Sequence, residues 1–227
     1  MSTFHTNIER ADNVQVGDHN SQFNYSGAEP AHPRGVILAV FANPFGTDGL
    51  RLDEESRAIL RAVRAGDYRD HLDVVQVPAA RYDEVGPNLQ RHRPVVVHVG
   101  THGTETGSLV FADGNGRPLD VPARALADLF ASHSATIRCV VLNGCFTRPL
   151  AEAIAANGPC VVGTSRAIAD ALAIEFAGAF HTAVANGRSF DEAFTDARIQ
   201  LDLGDRAGAD ALVLVGSPAS RCRTAVT

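Results

Sequence analysis

The sequence predicts an α/β fold built on a mostly parallel sheet, and three observations carry that prediction. Short continuous apolar runs at residues 36–42, 95–99, 139–143 and 160–163 have the character of strands covered on both faces. Stretches of helical period separate them, which is the alternation of a sheet with helices on each side. The size (227 residues) and the 45% hydrophobic content suit one such domain with a short appendage and exclude global disorder.

Each element has its own justification. Residues 1–33 are polar, rich in Asn and Ser, and close on Gly27, Pro30 and Pro33, the punctuation of a linker. They read as a flexible N-terminal tail; 34–218 is the globular domain and 219–227 a C-terminal tail. Residues 36–42 are the first strand. Residues 53–65 make an amphipathic helix with Ile59, Leu60 and Val63 on one face and acids in the first turn. A strand at 73–77, a helix at 83–93 and a strand at 95–99 follow. Residues 107–112 and the Asp113-Gly114-Asn115-Gly116 turn predict a small hairpin. A helix at 121–132 has Pro122 in its first turn. After the strand at 139–143, the helix at 149–157 stops at Gly158. The strand at 160–163, helices at 170–186 and 190–203, and a strand at 211–215 complete the domain.

Composition removes several classes of function. A net charge of -6 disfavours nucleic-acid binding by phosphate neutralisation. No apolar run reaches the ~18 residues of a membrane span. No secretory signal opens the chain, so the expected location is cytoplasmic and a disulfide framework is not expected. All 20 basic residues are Arg, which excludes a P-loop lysine, a Schiff base or a kinase ATP lysine. The codon bias behind that composition suggests a GC-rich bacterial genome. Cys139 and Cys160 lie in apolar runs as small hydrophobes, and the four Cys form no CxxC metal or redox motif.

Function in parallel sheets gathers at the carboxyl ends of strands. Three ends are informative: Asn43-Pro44-Phe45-Gly46, Gly100-Thr101-His102-Gly103 and Asn143-Gly144-Cys145. A thiolate nucleophile needs a base, and His titrates near neutrality. Cys145 and His102 at neighbouring strand ends supply both. The backbone N–H groups of Gly103 and Cys145 are candidate oxyanion donors, and the helix after Cys145 points its positive end at the thiol. Taken singly, such a Cys is packing and such a His is solvated; joint placement beside glycines favours chemistry. Glu105, near the His loop, is a weaker candidate for a binding acid and reads more readily as a solvated residue. A nucleotide-binding sheet is disfavoured, because residues 43–49 lack GxGxxG spacing.

These residues also resemble a family. His98-Val-Gly-Thr-His102-Gly103, then Gly107-Ser-Leu-Val-Phe111, then Val140-Val-Leu-Asn-Gly-Cys145 look like the CHAT peptidases, relatives of caspases, gingipains and separase. The likeness spans 36–217. It implies a caspase-like three-layer αβα sandwich and a cysteine endopeptidase with a His102–Cys145 dyad, needing no metal or organic cofactor. One departure is Gly144, where many members carry Ala. His98 is expected to support the site as a strand residue, not to act as a second base. Gingipain and separase relatives cut after basic residues through an acidic pocket, and Asp170 lies in the corresponding segment. Asp170 reads equally as that pocket acid or as the N-cap of the following helix. The alternative to an enzyme is a catalytically inactive caspase-like scaffold.

The tail carries its own pattern. Val14 and Val16 alternate with polar residues in Asn13-Val14-Gln15-Val16-Gly17, and Asn20 adds to an Asn/Gln set able to form ladders in stacked strands. The Val-Gln-Val-Gly core resembles the RIP homotypic interaction motif (RHIM) and bacterial amyloid-signalling tails; a disordered leader or an added edge strand are the plainer readings. The resemblance implies self-association through Asn13, Val14, Gln15, Val16, Gly17 and Asn20. It also implies a sensor protein with a matching motif as partner and an effector role in bacterial defence or programmed cell death. The substrate is then a protein, a gasdermin-like pore former being one class that context allows.

Overall fold

The structure is a computed structural model that describes residues 34–204, 207–216 and 222, together with the backbone of 14–15 and 22–23. The chain separates into two units, 1–33 and 34–227. In the first, β1 (Val14–Gln15) and β2 (Gln22–Phe23) pair antiparallel, with Val14 opposite Phe23. Asn13, Val16, Gly17 and Asn20 lie outside the described residues.

The second unit is an α/β sandwich. Its strands are β3 (Gly35–Phe41), β4 (Leu72–Val77), β5 (Val96–Gly100), β8 (Cys139–Asn143), β9 (Cys160–Thr164) and β10 (Leu212–Val215), in spatial order β10-β9-β8-β5-β3-β4. All pairings are parallel except β9 with β10. Alternate residues feed two cores, as a pleated strand requires. Ile37, Val96, Cys139, Val141, Cys160 and Val162 face one core, which includes Phe176, Phe180 and Phe190 of α5 (Asp170–Ala185) and α6 (Phe190–Leu203). Leu38, Val40, Val97, Val99, Val140 and Leu142 face the other, against α2 (Val85–His92), α3 (Ala123–Ser132) and α4 (Arg148–Ala155). Each fully buried Phe, Leu or Ile contributes about 1.5–3 kcal/mol of transfer free energy, so both faces must be covered. α1 (Leu52–Ala65) packs on α5.

Four details depart from the sequence reading. The helix expected at 121–132 begins at Ala123. Before it, β7 (Pro118–Val121) pairs antiparallel with β6 (Leu109–Ala112), and Pro122 at φ -62, ψ 142 is the extended N-cap between them. The helix expected at 83–93 is a 3-10 turn, Tyr82–Glu84, followed by α2, which ends at Arg93 in left-handed conformation. The last strand, starting at Leu212, runs antiparallel because α6 and a short 3-10 turn return the chain along the sheet edge. Finally, Cys160 is disulfide-bonded to Cys222, 62 residues on, so a thiol expected as a plain core hydrophobe instead ties 222 to β9. No helix among the described residues is long and apolar enough to cross a membrane.

Candidate active site

β5 and β8 are hydrogen-bonded neighbours, with Gly100 opposite Asn143. His102 and Cys145 each lie two residues beyond that pair. Both line one cleft of about 40 Å³, together with Glu55, Asn143, Ile168 and Asp170. The two loops touch through backbone. A Cβ on Gly103 would collide with the Cys145 carbonyl oxygen and lie 3.2 Å from the Cys145 nitrogen; one on Gly144 would lie 2.6 Å from the Thr101 carbonyl oxygen. Only glycine permits that approach. Among the described residues, the Gly103 and Cys145 amides donate no backbone hydrogen bond.

The His loop is braced on β6 by Val110 N donating to His102 O (2.9 Å) and Thr104 N to Ser108 O (3.0 Å). The His102 ring is half-buried, and its Nε2 lies 2.7 Å from the carbonyl oxygen of Asp48. A carbonyl only accepts, so Nε2 carries a proton, and in the neutral ring Nδ1 is the nitrogen left to accept. Cys145 is half-buried, with its thiol directed at the Ile168 carbonyl oxygen at 4.0 Å. Phe146 follows at φ 55, a left-handed turn that delivers the chain to Thr147, the N-cap of α4. Non-glycine residues hold such φ values where surrounding structure enforces them. Thr164, at the end of β9, enforces this one: its hydroxyl donates to Gly144 O at 2.5 Å, and its N–H to Thr147 Oγ1 at 2.9 Å. Cys139 differs from Cys145: it is fully buried, and burial pushes its thiol pKa up, so it stays protonated and inert.

Beneath the cleft lies a buried polar chain. His98 Nε2 donates to Glu55 Oε1 at 2.7 Å; Asn143 Nδ2 donates to the same oxygen and, at 3.0 Å, to Ala173 O. His181 Nε2 lies 3.3 Å from His98 Nδ1. With protons passed in that direction, His181 Nδ1 is a bare acceptor, and it has no hydrogen-bond partner among the described residues. Burial, then the proximity of His98, holds the His181 pKa well below its ordinary value, so the ring is neutral. The chain ties α1, β5, β8 and α5 together directly under Asn143, two residues before Cys145.

Asp170 is the first residue of α5 and Ala169 is the cap, so the carboxylate does not serve as N-cap. Its Oδ2 accepts from Arg51 Nε at 2.8 Å, and Arg51 Nη1 also reaches Glu54 at 3.2 Å. Glu105 is exposed. The sequence reading missed Glu55, Arg51, Thr164 and His181. Glu55 had left a signal: it precedes Ile59 by four and Val63 by eight residues, an acid inside the apolar stripe of α1. His181 likewise sits one residue after Phe180 in a nearly all-apolar helix. Arg51 and Thr164 left none, since a surface cation and a strand-end hydroxyl are ordinary. Among the described residues no three His, Cys, Asp or Glu side chains converge as metal ligands would.

The fold and this cleft define a doubly covered, mostly parallel sheet with a thiol and an imidazole at adjacent carboxyl ends. The chain belongs to the CHAT domain family, which matches residues 10–211. It is 23% identical over 157 residues to a protein named "Probable protease" from Gillisia limnaea (strain DSM 15749 / LMG 21470 / R-8282), covering 68% of this chain and 28% of that one. The chain therefore spans less than a third of the length of that relative. Among solved structures it is similar to caspase-1 from Spodoptera frugiperda, with a TM-score of 0.47 and 13% identity over 86% of this chain and 83% of that one. It is also similar to a secreted C11 cysteine protease from Bacteroides thetaiotaomicron in complex with an irreversible peptide inhibitor, with a TM-score of 0.46 and 10% identity over 67% and 53% of the two chains.

Proposed function

We propose that this chain is a cysteine endopeptidase in which Cys145 is the nucleophile and His102 the general acid and base. The observation that carries this reading is the shared cleft: one thiol and one imidazole at neighbouring strand ends, with Gly103 pressed on the Cys145 backbone. In the reaction, His102 Nδ1 takes the thiol proton and the Cys145 thiolate attacks the scissile carbonyl carbon. The Gly103 and Cys145 N–H groups hold the oxyanion. His102 then returns the proton to the leaving amine, and water, deprotonated by the same ring, hydrolyses the thioester. The Asp48 carbonyl keeps the ring in the tautomer this sequence needs. Asp170, in the same cleft, is the acid that receives a basic side chain before the scissile bond.

The test is hydrolysis of a fluorogenic peptide library by wild type, Cys145→Ala and His102→Ala. Cleavage after Arg or Lys that both variants lose supports the reading. Cleavage that survives Cys145→Ala overturns it. Silence in a folded wild type, whose Cys145 reacts with iodoacetamide no faster than that of His102→Ala, moves the chain to the inactive-scaffold reading.

The tail supplies the regulatory half of the proposal. A partner with a matching motif templates 13–20, and assembly raises the effective concentration of peptidase domains, in a defence or cell-death response. The support is the Val-Gln-Val-Gly pattern and its Asn/Gln neighbours. Fibres that bind thioflavin should form from a peptide of residues 8–25 and vanish when Val14 and Val16 become Asp; a peptide that stays monomeric removes this half.

A further inference from the structure

The pocket acid of the proposed site already holds a cation from its own chain. Arg51 Nε donates to Asp170 Oδ2 at 2.8 Å, the position a substrate guanidinium would take. Its flanking residues, Leu50 and Leu52, form one wall of the cleft that contains Cys145. That cleft, at about 40 Å³, holds only a water or two and no Arg side chain. On the other side of the same Leu50–Leu52 wall is a second cavity of about 490 Å³, bounded by Phe41, Gln76 and Pro78. The wall thus separates a narrow cleft from a wider groove, and the Arg51–Asp170 pair fastens it across to the start of α5.

We infer that Arg51 is a self-ligand and latch of the specificity cleft, displaced when a basic substrate side chain takes over Asp170. This rests on the reading of Asp170 as the pocket acid. Three observations make the exchange feasible. The pair is exposed, with side-chain exposures of 48% and 28%, so solvent screens it and it opens readily. Arg51 has a second acid in place, Glu54 at 3.2 Å, so its charge is not stranded on release. The three groups Arg51, Glu54 and Asp170 sum to one net negative charge, which favours entry of a further cation. Once Arg51 lets go, residues 50–52 can yield towards the 490 Å³ cavity and widen the cleft.

The experiment reads binding first, in the full chain carrying Cys145→Ala, by anisotropy of a labelled peptide with Arg before the scissile bond. Adding Arg51→Gln should tighten this peptide by about threefold to fivefold, the range that loss of one exposed ion pair supports. Adding Asp170→Asn instead should weaken it, and the same peptide with Leu should not respond to Asp170→Asn. On the Cys145 background, Arg51→Gln should lower KM for the Arg peptide with kcat nearly unchanged. Unchanged or weaker binding in Arg51→Gln overturns the latch. Preferred binding of a peptide with Asp, lost in Arg51→Gln, overturns it in favour of Arg51 as an anion receptor. Tightened binding without any turnover in wild type leaves the latch standing and removes the peptidase reading.

Discussion

Gly103 has no room for a side chain, because a Cβ there meets the Cys145 carbonyl oxygen. Gly103→Ala should destabilise the fold by about 1–3 kcal/mol, as overpacking does. It should also lower peptide cleavage by about a hundredfold or more, because the displaced amide is one of the two proposed oxyanion donors. Thermal unfolding and peptide hydrolysis measure the two effects separately; activity retained at wild-type level would remove Gly103 from the site. His181 offers a second test. Its folded pKa lies well below the 6.5 of an ordinary His, owing to burial and then to His98. Above 6.5 both folded and unfolded rings are neutral, and this group adds no pH dependence. As pH falls below that value, the unfolded chain binds a proton that the folded one refuses, so stability drops towards acid. His98 and Glu55 are the titratable groups in line with it. His181→Phe should therefore flatten the loss of Tm between about pH 7 and about pH 5; an unaltered slope would assign the acid sensitivity elsewhere.

At the scale of elements, the site depends on how closely α1 approaches α5. Gly66 caps α1, and a Cβ on it would lie 2.5 Å from both the Cβ and the carbonyl oxygen of Ala185. Tyr68 N donates to that same carbonyl at 2.9 Å. Arg51 caps the start of α1 and Glu55 lies in its first turn, while α5 carries Asp170, Ala173 and His181. Gly66→Ala should push the two helices apart, costing about 1–3 kcal/mol by overpacking. Because Glu55 of α1 bonds His98 and Asn143 of the sheet, and Asn143 in turn bonds the Ala173 carbonyl of α5, peptide cleavage should fall with it. Chemical denaturation beside a KM and kcat measurement checks this; a destabilised variant with wild-type kcat would show that the helix spacing serves the fold alone.

For the whole molecule, the Cys160–Cys222 bond joins β9, inside the larger core, to a residue 62 positions later. Closing a loop of that length restricts the unfolded chain, and such cross-links contribute about 2–4 kcal/mol. Cys222→Ser, or reductant added to wild type, should each lower the unfolding midpoint by a matching amount, and the two should not add. Equal midpoints with and without reductant would show that the tether is not formed in solution. Neither Cys160 nor Cys222 lines the cleft, so cleavage measured well below the midpoint should be the same in oxidised and reduced protein.

The order of strands and helices was legible in the sequence because it rests on local periodicity. Runs such as 139–143 are apolar at every position, as a strand covered on both faces demands, and α1 repeats its apolar residues at helical spacing. The ends of β5 and β8 were legible for the same reason: once the runs are read as strands, the residues after them fall at one edge. The start of α3 was misplaced because 118–121 pairs across a hairpin, and that pairing depends on β6 more than on its own pattern. The polar partnerships were not legible at all. Glu55 meets His98 and Asn143 from 43 and 88 positions away, His181 meets His98 from 83, and Arg51 meets Asp170 from 119. Sequence by itself determined the alternation, the parallel sheet and the two strand ends that hold His102 and Cys145, since backbone sterics and burial period act over a few residues. Only the tertiary structure decided which charge answers which, whether the last strand turns back, and which cysteines join. Those choices follow from packing between distant elements, where a buried polar group takes whatever partner the neighbouring helix or strand brings within 3 Å or so.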